Sequence, residues 1–312
     1  MRDRPHDLPD DRVAGALAAF GIRARSLTHA PVGFGDHHWR VDGRWFATVS
    51  DLAHKPHCGD GPVAALRGLR AAMDAAAALG GELDFVVPPV RTPAGDTAVP
   101  LDERYALTVF PLVDGEPGEF GQVLGRADHD RVLEMLAELH ATDVPAPAVA
   151  PDVPGRAALV DLLDRLREPW SGGPFATPAR ELLSTRRGVV RARLAEFDRL
   201  AARLPARTAV THGEPHPGNL VRGAAGWRLV DWDTVGTAVP ERDLAVVSGP
   251  LDRYAEVTGY EPDPGALALY RLRWSLVDVA EFAVWLHGPH EASEDSAAAL
   301  RGLAETLDHL AG

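Results

Sequence analysis

Three residues with oxygen-bearing side chains lie close together in the second half of the chain. Glu214 and Asn219 fall in THGEPHPGN, residues 211–219, and Asp231 falls in the run LVDWD. Two prolines and two glycines disfavour a helix in the first stretch, so it is predicted to be an irregular loop. Phosphoryl transfer uses these side-chain types. One carboxylate orients the attacking hydroxyl, while an amide oxygen and a second carboxylate hold Mg²⁺ on a triphosphate.

Zinc binding is the alternative chemistry for the same stretch. His212 and His216 are four positions apart with Glu214 between them, which is the spacing of a zinc protease. That motif requires a helix to bring both imidazoles to one face, and the prolines and glycines disfavour one. A second group of possible ligands, in HKPHC at residues 54–58, has no evident fourth ligand. Phosphoryl transfer is therefore the favoured interpretation.

The elements that position these residues begin with a predicted small β-sheet and one main helix. Aromatic and β-branched runs flank Asp42-Gly43, a strong hairpin signal. FVVPPV and YALTVFPLV predict two more strands, separated by a turn-rich segment at 92–103. Pro62 and Gly80 mark the start and end of a helix over 62–79.

The remainder of the chain is predicted to be mostly helical. Helices are expected within 128–143, 156–167, 178–204 and most of 241–311, with a strand pair around the turn at 223–226. A β-rich part followed by a helical part predicts an α+β protein. We expect two lobes with a cleft between them, residues 1–112 and residues 113–312.

Composition limits the classes of partner. A formal net charge of −13 argues against binding to nucleic acid, which needs clustered positive charge. The same charge would attract a cationic substrate, although solubility alone also explains it. One cysteine, no signal-peptide pattern and no apolar run of about 18 residues predict a cytoplasmic protein without a membrane span. Nothing implies an obligate protein partner.

HGEPHPGNL followed by LVDWDTVG resembles the Brenner-type loop and metal-binding strand of the aminoglycoside phosphotransferase family. These are small-molecule kinases with a protein-kinase-like fold, and the spectinomycin-type enzymes resemble this chain most. LAELHATD, residues 136–143, is similar to a helix end common in that family. PERDLA, residues 240–245, resembles the segment that carries the family's structural aspartate. The resemblance extends over residues 31–250, in the same order.

The resemblance implies a role for each residue of the loop and the strand. Glu214 stands where the family has its catalytic aspartate. Asn219 and Asp231 match the ligands of Mg²⁺, and His212 matches the structural histidine of the loop. Asp233 is predicted to assist at the metal or to bond the backbone, and it is counted among the substrate-binding residues.

The resemblance also implies a site for ATP or GTP in the first lobe. Gly33 and Gly35 fall where the turn that covers the nucleotide is expected. The segment from Phe110 to Val113 would be the hinge whose backbone bonds adenine or guanine. The second lobe would carry the catalytic loop and the substrate pocket.

The chain departs from the family pattern at three positions. Glu214 replaces aspartate and adds one methylene. Thr48 occupies the usual place of the phosphate-binding lysine, and the only acid of helix 62–79 is Asp74 rather than a glutamate. Lys55, the single lysine of the chain, would supply the missing phosphate contact through its flexible stem. Chance survival of this lysine, with weak nucleotide binding, is the alternative.

A helical face near the end of the chain suits an amine-bearing acceptor. Trp274, Asp278, Glu281 and Trp285 follow one another at spacings of four, three and four. Two carboxylates between two indoles would bind an amine by ion pairing and cation–π contact, or the indoles are core and the acids are solvated. We therefore expect a phosphotransferase acting on a hydroxyl of a small cationic molecule such as an aminoglycoside or aminocyclitol. The alternative is a catalytically weak, kinase-like protein that binds nucleotide or another ligand.

Overall fold

A computed structural model describes residues 1–312. The chain forms two compact units, one of residues 1–150 and 206–263, the other of residues 151–205 and 264–312. The first unit contains a sheet and helices and the second is helical, so the predicted α+β class is confirmed. The predicted division into a nucleotide-binding lobe of residues 1–112 and a second lobe of residues 113–312 stays a prediction. No helix combines the length and apolar character that a membrane crossing needs.

The first unit is built on a five-stranded antiparallel sheet with strand order β1-β2-β3-β5-β4. Its strands are β1 (Leu27–Ala30), β2 (Asp36–Val41), β3 (Trp45–Asp51), β4 (Ala98–Pro100) and β5 (Tyr105–Pro111). The predicted hairpin is confirmed, since β2 and β3 pair from Asp36↔Ser50 to Val41↔Trp45. Three residues connect the strands, and the Arg44 N–H donates to the Val41 carbonyl at 3.0 Å. Asp42 and Gly43, at the centre of this turn, both have positive φ, as a type I′ turn requires.

Two helices pack with this sheet, α1 (Asp10–Leu17) and α2 (Pro62–Leu79). The predicted start and end of α2 are confirmed, with proline in its first turn and Gly80 at its end. Helix α1 is tied to the sheet because the Trp39 indole nitrogen donates to Asp10. Buried apolar side chains of α1 and the strands form one core, which includes Val13, Trp39 and Leu107.

Two strand predictions in this region were wrong. FVVPPV is not a strand, because its consecutive prolines have no N–H to give to a ladder. Instead, the backbone N–H groups of Val87 and Val90 donate to the carbonyls of Leu229 and Val109. Strand β4 lies inside the segment predicted as turns, where it pairs with β5 and buries Ala98.

Short strands and helices complete the first unit. The strands are β6 (Glu116–Pro117), β7 (Ala209–Thr211), β8 (Leu220–Gly223), β9 (Gly226–Leu229) and β10 (Gly236–Ala238), and the helices are α3 (Arg126–His140), α6 (Glu241–Leu244) and α7 (Asp252–Thr258). The strand pair around the turn at 223–226 is confirmed as β8 and β9. Strand β7 pairs with β10, with Thr211 opposite Gly236. The loop that follows β7 therefore starts next to the residues that lead into β10.

The second unit consists of four helices, α4 (Arg156–Asp164), α5 (Ala176–Ala201), α8 (Pro264–His287) and α9 (Glu294–Ala311). Helices α4 and α5 confirm the helices predicted at 156–167 and 178–204, with ends shifted by a few residues. Together with α6 and α7 of the first unit, α8 and α9 cover most of 241–311, as predicted. Helix α9 begins with a capping box in which Ser293 and Ser296 bond each other's backbone N–H groups.

Candidate active site

His212, the first residue after β7, fastens the irregular loop to the segment before Asp231. Its Nε2 lies 2.9 Å from the carbonyl oxygen of Val230, and its Nδ1 accepts from the backbone N–H of Glu214 at 3.1 Å. Burial lowers the pKa of this imidazole to about 4. A neutral ring that donates at Nε2 and accepts at Nδ1 satisfies both bonds.

Asp243, in α6, holds the start of the same loop from the other side. Its carboxylate accepts from the backbone N–H groups of His212 and Gly213 at 2.8 and 2.6 Å, and it lies 3.1 Å from Nε2 of His140. The other ring nitrogen of His140 bonds the Tyr254 hydroxyl at 2.8 Å. Burial opposes ionisation of Asp243, but the bond to His140 and the charges of His140 and Arg242 together outweigh burial and lower the pKa of Asp243. The family-like segments at 136–143 and 240–245 therefore meet at the loop.

Gly213 cannot be replaced by a larger residue without distortion. Its φ is +102°, and a Cβ atom there would overlap the Arg242 guanidinium. That guanidinium donates to Thr211 Oγ1 at 2.8 Å and to the carbonyl oxygen of Thr234 at 2.7 Å. One buried network of hydrogen bonds thus joins the loop, β7 and the segment before β10, and we call this network the frame of the site.

Asn219 is oriented by the loop that contains Glu214. Its side-chain Nδ2 donates to the Glu214 carbonyl oxygen at 2.9 Å, and its backbone carbonyl accepts from Val230 N–H at 3.0 Å. Because the amide nitrogen is used in this way, Oδ1 is the atom that Asn219 offers to a cation. The frame therefore brings Glu214 and Asn219 to the segment that leads into Asp231.

Asp231 has an unusual backbone and an unusual environment. Its φ is +67°, and Asp42 in the hairpin turn is the other non-glycine residue with positive φ. Such a conformation costs free energy and is common at functional sites. Burial raises the pKa of Asp231 well above its usual value, and the charges of Asp233 and Glu214 add to this, while Lys55 opposes it. Crowded carboxylates of this kind fit a divalent cation, which would relieve their repulsion.

Two histidines that the sequence offers as possible zinc ligands make other contacts. Both ring nitrogens of His212 bond the backbone, and Nε2 of His57 lies 3.1 Å from Asp233. No group of three or more His, Cys, Asp or Glu side chains has the arrangement of a metal centre. A Mg²⁺ ion needs few protein ligands, and Asn219 and Asp231 offer the oxygen atoms that it prefers.

Lys55 lies beside these acids, just after the 3₁₀ turn that follows β3. Its ammonium group donates to Asp36 at 2.9 Å and also to Asp233. Burial disfavours the charged form, but Asp233, Asp36 and Asp231 outweigh burial and raise the pKa of Lys55 well above its usual value. Thr48, by contrast, is buried in the sheet with its hydroxyl 3.1 Å from His38 Nδ1.

Asp233 belongs to this ion cluster in the structure. Its carboxylate accepts from Lys55 and lies 3.1 Å from His57 Nε2. Burial opposes its ionisation, but the charges of Lys55 and His57 hold its pKa far below the usual range. Asp233 in turn raises the pKa of His57 against the effect of burial. Its predicted roles at the metal and in substrate binding stay predictions.

Sequence reasoning missed Asp36 and considered His57 only as a possible zinc ligand. A weak signal was available for each, because Asp36 directly follows Gly35 and His57 is two positions after the single lysine. Neither signal indicates which residue Asp36 or His57 contacts. His57 and Asp233, for example, are 176 positions apart in the sequence.

The predicted nucleotide-binding residues lie in the same unit as the loop. Gly33 and Gly35 have φ values of +70° and +94° in the turn between β1 and β2, which suits a tight turn that only glycine forms easily. Phe110 is in β5, and Val113 follows that strand. Leu112 N–H donates to the Arg44 carbonyl at 2.8 Å and fixes the chain there.

The predicted acceptor-binding residues lie on α8 in the second unit. Trp274, Asp278, Glu281 and Trp285 are each half-buried. Buried Val279, Ala280 and Ala283 on the same helix form its packed side. The tryptophans are therefore partly accessible rather than core residues, and their role in binding an acceptor stays a prediction.

Comparison with known proteins places the chain in a family. Residues 31–285 match the family described as the phosphotransferase enzyme family. Protein StrN of Streptomyces griseus is 30% identical over 193 residues, which make up 57% of this chain and 58% of the length of StrN.

Solved structures share the fold. A spectinomycin phosphotransferase in complex with ADP and spectinomycin has a TM-score of 0.71 at 14% identity, covering 97% of both chains. An aminoglycoside phosphotransferase in complex with GDP and kanamycin has a TM-score of 0.55 at 14% identity, over 95% of both chains. A choline/ethanolamine kinase family protein from Mesorhizobium loti has a TM-score of 0.51 at 18% identity, over 96% of this chain and 94% of that one. The family expected from the loop and strand motifs is thereby confirmed, and the chain belongs to the phosphotransferase enzyme family.

Proposed function

We propose that this phosphotransferase moves the terminal phosphoryl group of ATP or GTP to a hydroxyl of a small cationic molecule. The observation that carries the proposal is the single hydrogen-bonded frame that joins Glu214, Asn219 and the left-handed Asp231. These are the side chains that phosphoryl transfer needs to orient a hydroxyl and to hold a metal ion.

Asn219 Oδ1 and the Asp231 carboxylate would hold Mg²⁺, which neutralises charge on the triphosphate when bound. Glu214 accepts a hydrogen bond from the acceptor hydroxyl and takes its proton late in transfer. Positioning matters more than basicity here, because the transition state is loose and little of the proton has moved when the phosphoryl group leaves. Gly33, Gly35 and the Phe110–Val113 segment would bind the nucleotide, and the Lys55 ammonium group would contact its phosphates.

An aminoglycoside or aminocyclitol is the first candidate acceptor. The similar spectinomycin phosphotransferase was solved with spectinomycin, and another similar enzyme with kanamycin. The net charge of −13 favours the approach of a cation. Trp274, Asp278 and Glu281 on α8 are the side chains that we propose to bind its amines. With such an acceptor, the protein would act in the cytoplasm, where nucleoside triphosphates are available, and would confer antibiotic resistance.

The proposal is tested by a nucleotide-consumption screen over aminoglycosides, spectinomycin, choline and simple sugars. Each acceptor is assayed with ATP and with GTP, with Mg²⁺ and with a chelator, using the wild type and Glu214→Gln. We expect consumption that depends on one acceptor class and on the metal, and that falls in the variant. Acceptor-independent consumption, or equal rates in both proteins, would contradict the proposal.

The second candidate is a kinase-like protein that binds nucleotide but transfers little. It is favoured by Glu214 in place of aspartate and by Thr48 in place of lysine. Tight nucleotide binding without turnover on any acceptor in the screen would support it.

A further inference from the structure

The ammonium group of Lys55 is buried between two carboxylates from different parts of the first unit. Asp36 begins β2, and Asp233 lies between Asp231 and β10. Helix α2 offers no such partner, because its only acid, Asp74, is bonded by Arg91 at 2.7 Å and by the Thr97 hydroxyl at 3.2 Å. Any carboxylate that orients Lys55 must therefore come from outside this helix.

The Asp36 carboxylate is itself rigidly held. Asp36 pairs with Ser50 across β2 and β3, and the Ser50 hydroxyl donates to Asp36 Oδ2 at 3.1 Å. Lys55 Nζ donates to the same oxygen atom at 2.9 Å, and all three side chains are buried. The position of this oxygen is thus set by the register of the sheet, independently of the segment that carries Lys55.

Lys55, by contrast, lies on irregular backbone. It follows the 3₁₀ turn at Leu52–His54 and has a long side chain with many rotamers. A lysine placed in this way does not have a defined direction unless a partner holds its ammonium group. Asp36 supplies such a partner and also directly follows Gly35, the second glycine of the turn between β1 and β2.

We propose that Asp36 is the positioning residue for Lys55, taking the place of a helix carboxylate and coupling the lysine to the glycine turn. This inference rests on the proposed function, in which Lys55 contacts the phosphates of the nucleotide. Asp36 does not touch the nucleotide. It fixes the direction of the ammonium group, while Asp233 links that group to the metal-binding segment.

The kinetic test uses Asp36→Asn, which keeps the shape and an acceptor for Ser50 but removes the charge. Losing one charge-assisted bond corresponds to about a tenfold rise in nucleotide KM, with a smaller change in kcat. Asp74→Asn is the matched control, because it makes the same change at the only acid of α2, and it should leave KM unchanged. In the Lys55→Ala background, Asp36→Asn should add no further rise in KM, whereas a merely structural role would add one.

The single lysine gives a direct readout of the ion pair. Protein grown with ¹³C,¹⁵N-lysine contains one labelled side chain, so its Cε and Nζ resonances need no assignment. Asp36→Asn should move these resonances and Asp74→Asn should not. If Asp36→Asn is too unstable to purify, Ser50→Ala removes only a bond to the carboxylate and should raise KM in the same direction by a smaller factor.

Unchanged KM and unchanged lysine resonances in Asp36→Asn would overturn the inference, as would an equal rise in KM with and without Lys55. Failure of the proposed function has a different signature. In that case the lysine resonances still depend on Asp36, but the wild type binds neither ATP nor GTP in the presence of Mg²⁺. That result would contradict the phosphate contact of Lys55 and with it the role of the pair.

Discussion

The side-chain nitrogen of Asn219 lies 2.9 Å from the backbone carbonyl oxygen of Glu214. This one bond couples the orientation of a proposed metal ligand to the loop that carries the proposed catalytic carboxylate. It also assigns the two ends of the amide, because only nitrogen can donate to a carbonyl.

Asn219 variants test this coupling. Asn219→Ala removes the ligand, and we expect kcat to fall by at least about 10²-fold, with a higher requirement for Mg²⁺. Asn219→Asp keeps an oxygen ligand but turns its second oxygen toward the Glu214 carbonyl, so it should retain metal dependence with activity between the wild type and the alanine variant. Rates measured against Mg²⁺ concentration check both expectations. A wild-type Mg²⁺ profile for Asn219→Ala would remove Asn219 from the metal site.

Asp231→Asn should separate stability from activity. Asparagine tolerates the left-handed backbone, so the change removes mainly the charge. The pKa of Asp231 is raised in the folded state, so stability falls as the pH rises from the ordinary pKa of an aspartate to the raised one, and the full cost is present above it. We expect the variant to be more stable by about 1–2 kcal/mol at pH 8 and to lose at least about 10²-fold in kcat.

The control for this prediction is Asp42→Asn, the same substitution at the other aspartate with positive φ. It lies in the hairpin turn, where its carboxylate bonds the N–H groups of Arg25 and Ser26. It should keep full activity. Thermal unfolding and steady-state rates are measured for both variants, and an active Asp231→Asn protein would remove the metal-ligand assignment.

Glu214 variants test the length of the catalytic side chain. Glu214→Gln keeps the shape but removes the charge, and kcat should fall by about 10²–10⁴-fold with nucleotide binding nearly unchanged. Glu214→Asp shortens the side chain by one methylene on a loop that the Asn219 and His212 bonds hold in place. Misplacement by about 1 Å can cost about 10²-fold, so aspartate should be slower than glutamate. A faster Glu214→Asp enzyme would instead indicate a weakened kinase.

We expect the free energy of unfolding to decrease as the pH falls, because His212 is buried in its neutral form. Its pKa is about 4 when folded and about 6.5 when exposed, so the unfolded chain takes up the proton first as the pH falls. The contribution of this histidine is complete above pH 6.5 and declines by about 3 kcal/mol by pH 4.

Urea unfolding between pH 4 and 8 checks this expectation. The wild type should lose stability more steeply than His212→Gln, by up to about 1.4 kcal/mol per pH unit. His309→Gln, on the exposed side of α9, controls for the loss of a histidine as such. Parallel pH curves for the wild type and His212→Gln would show that the imidazole is not held neutral in the fold.

Short-range signals in the sequence were enough to predict the main helices, the hairpin and the irregular loop. The hairpin at Asp42-Gly43 and the limits of α2 depend on residues that are local to them, since turn conformation and helix ends are set within a few positions. The same holds for the loop at 211–219, whose prolines and glycines disfavour an α-helix whatever surrounds them, and which contains only a short 3₁₀ turn at Pro217–Asn219. Its acid and amide side chains therefore indicated phosphoryl transfer before any contact was known.

Only the tertiary structure decided which groups meet. Lys55 bonds Asp36 at 19 positions along the chain and Asp233 at 178, and no local pattern encodes such distances. One carboxylate partner of Lys55 comes from β2, because strand register brings Asp36 beside Ser50 and within reach of the lysine. Propensity and periodicity describe a segment, whereas the direction of a buried charge depends on every segment packed around it, and that is known only once the chain has folded.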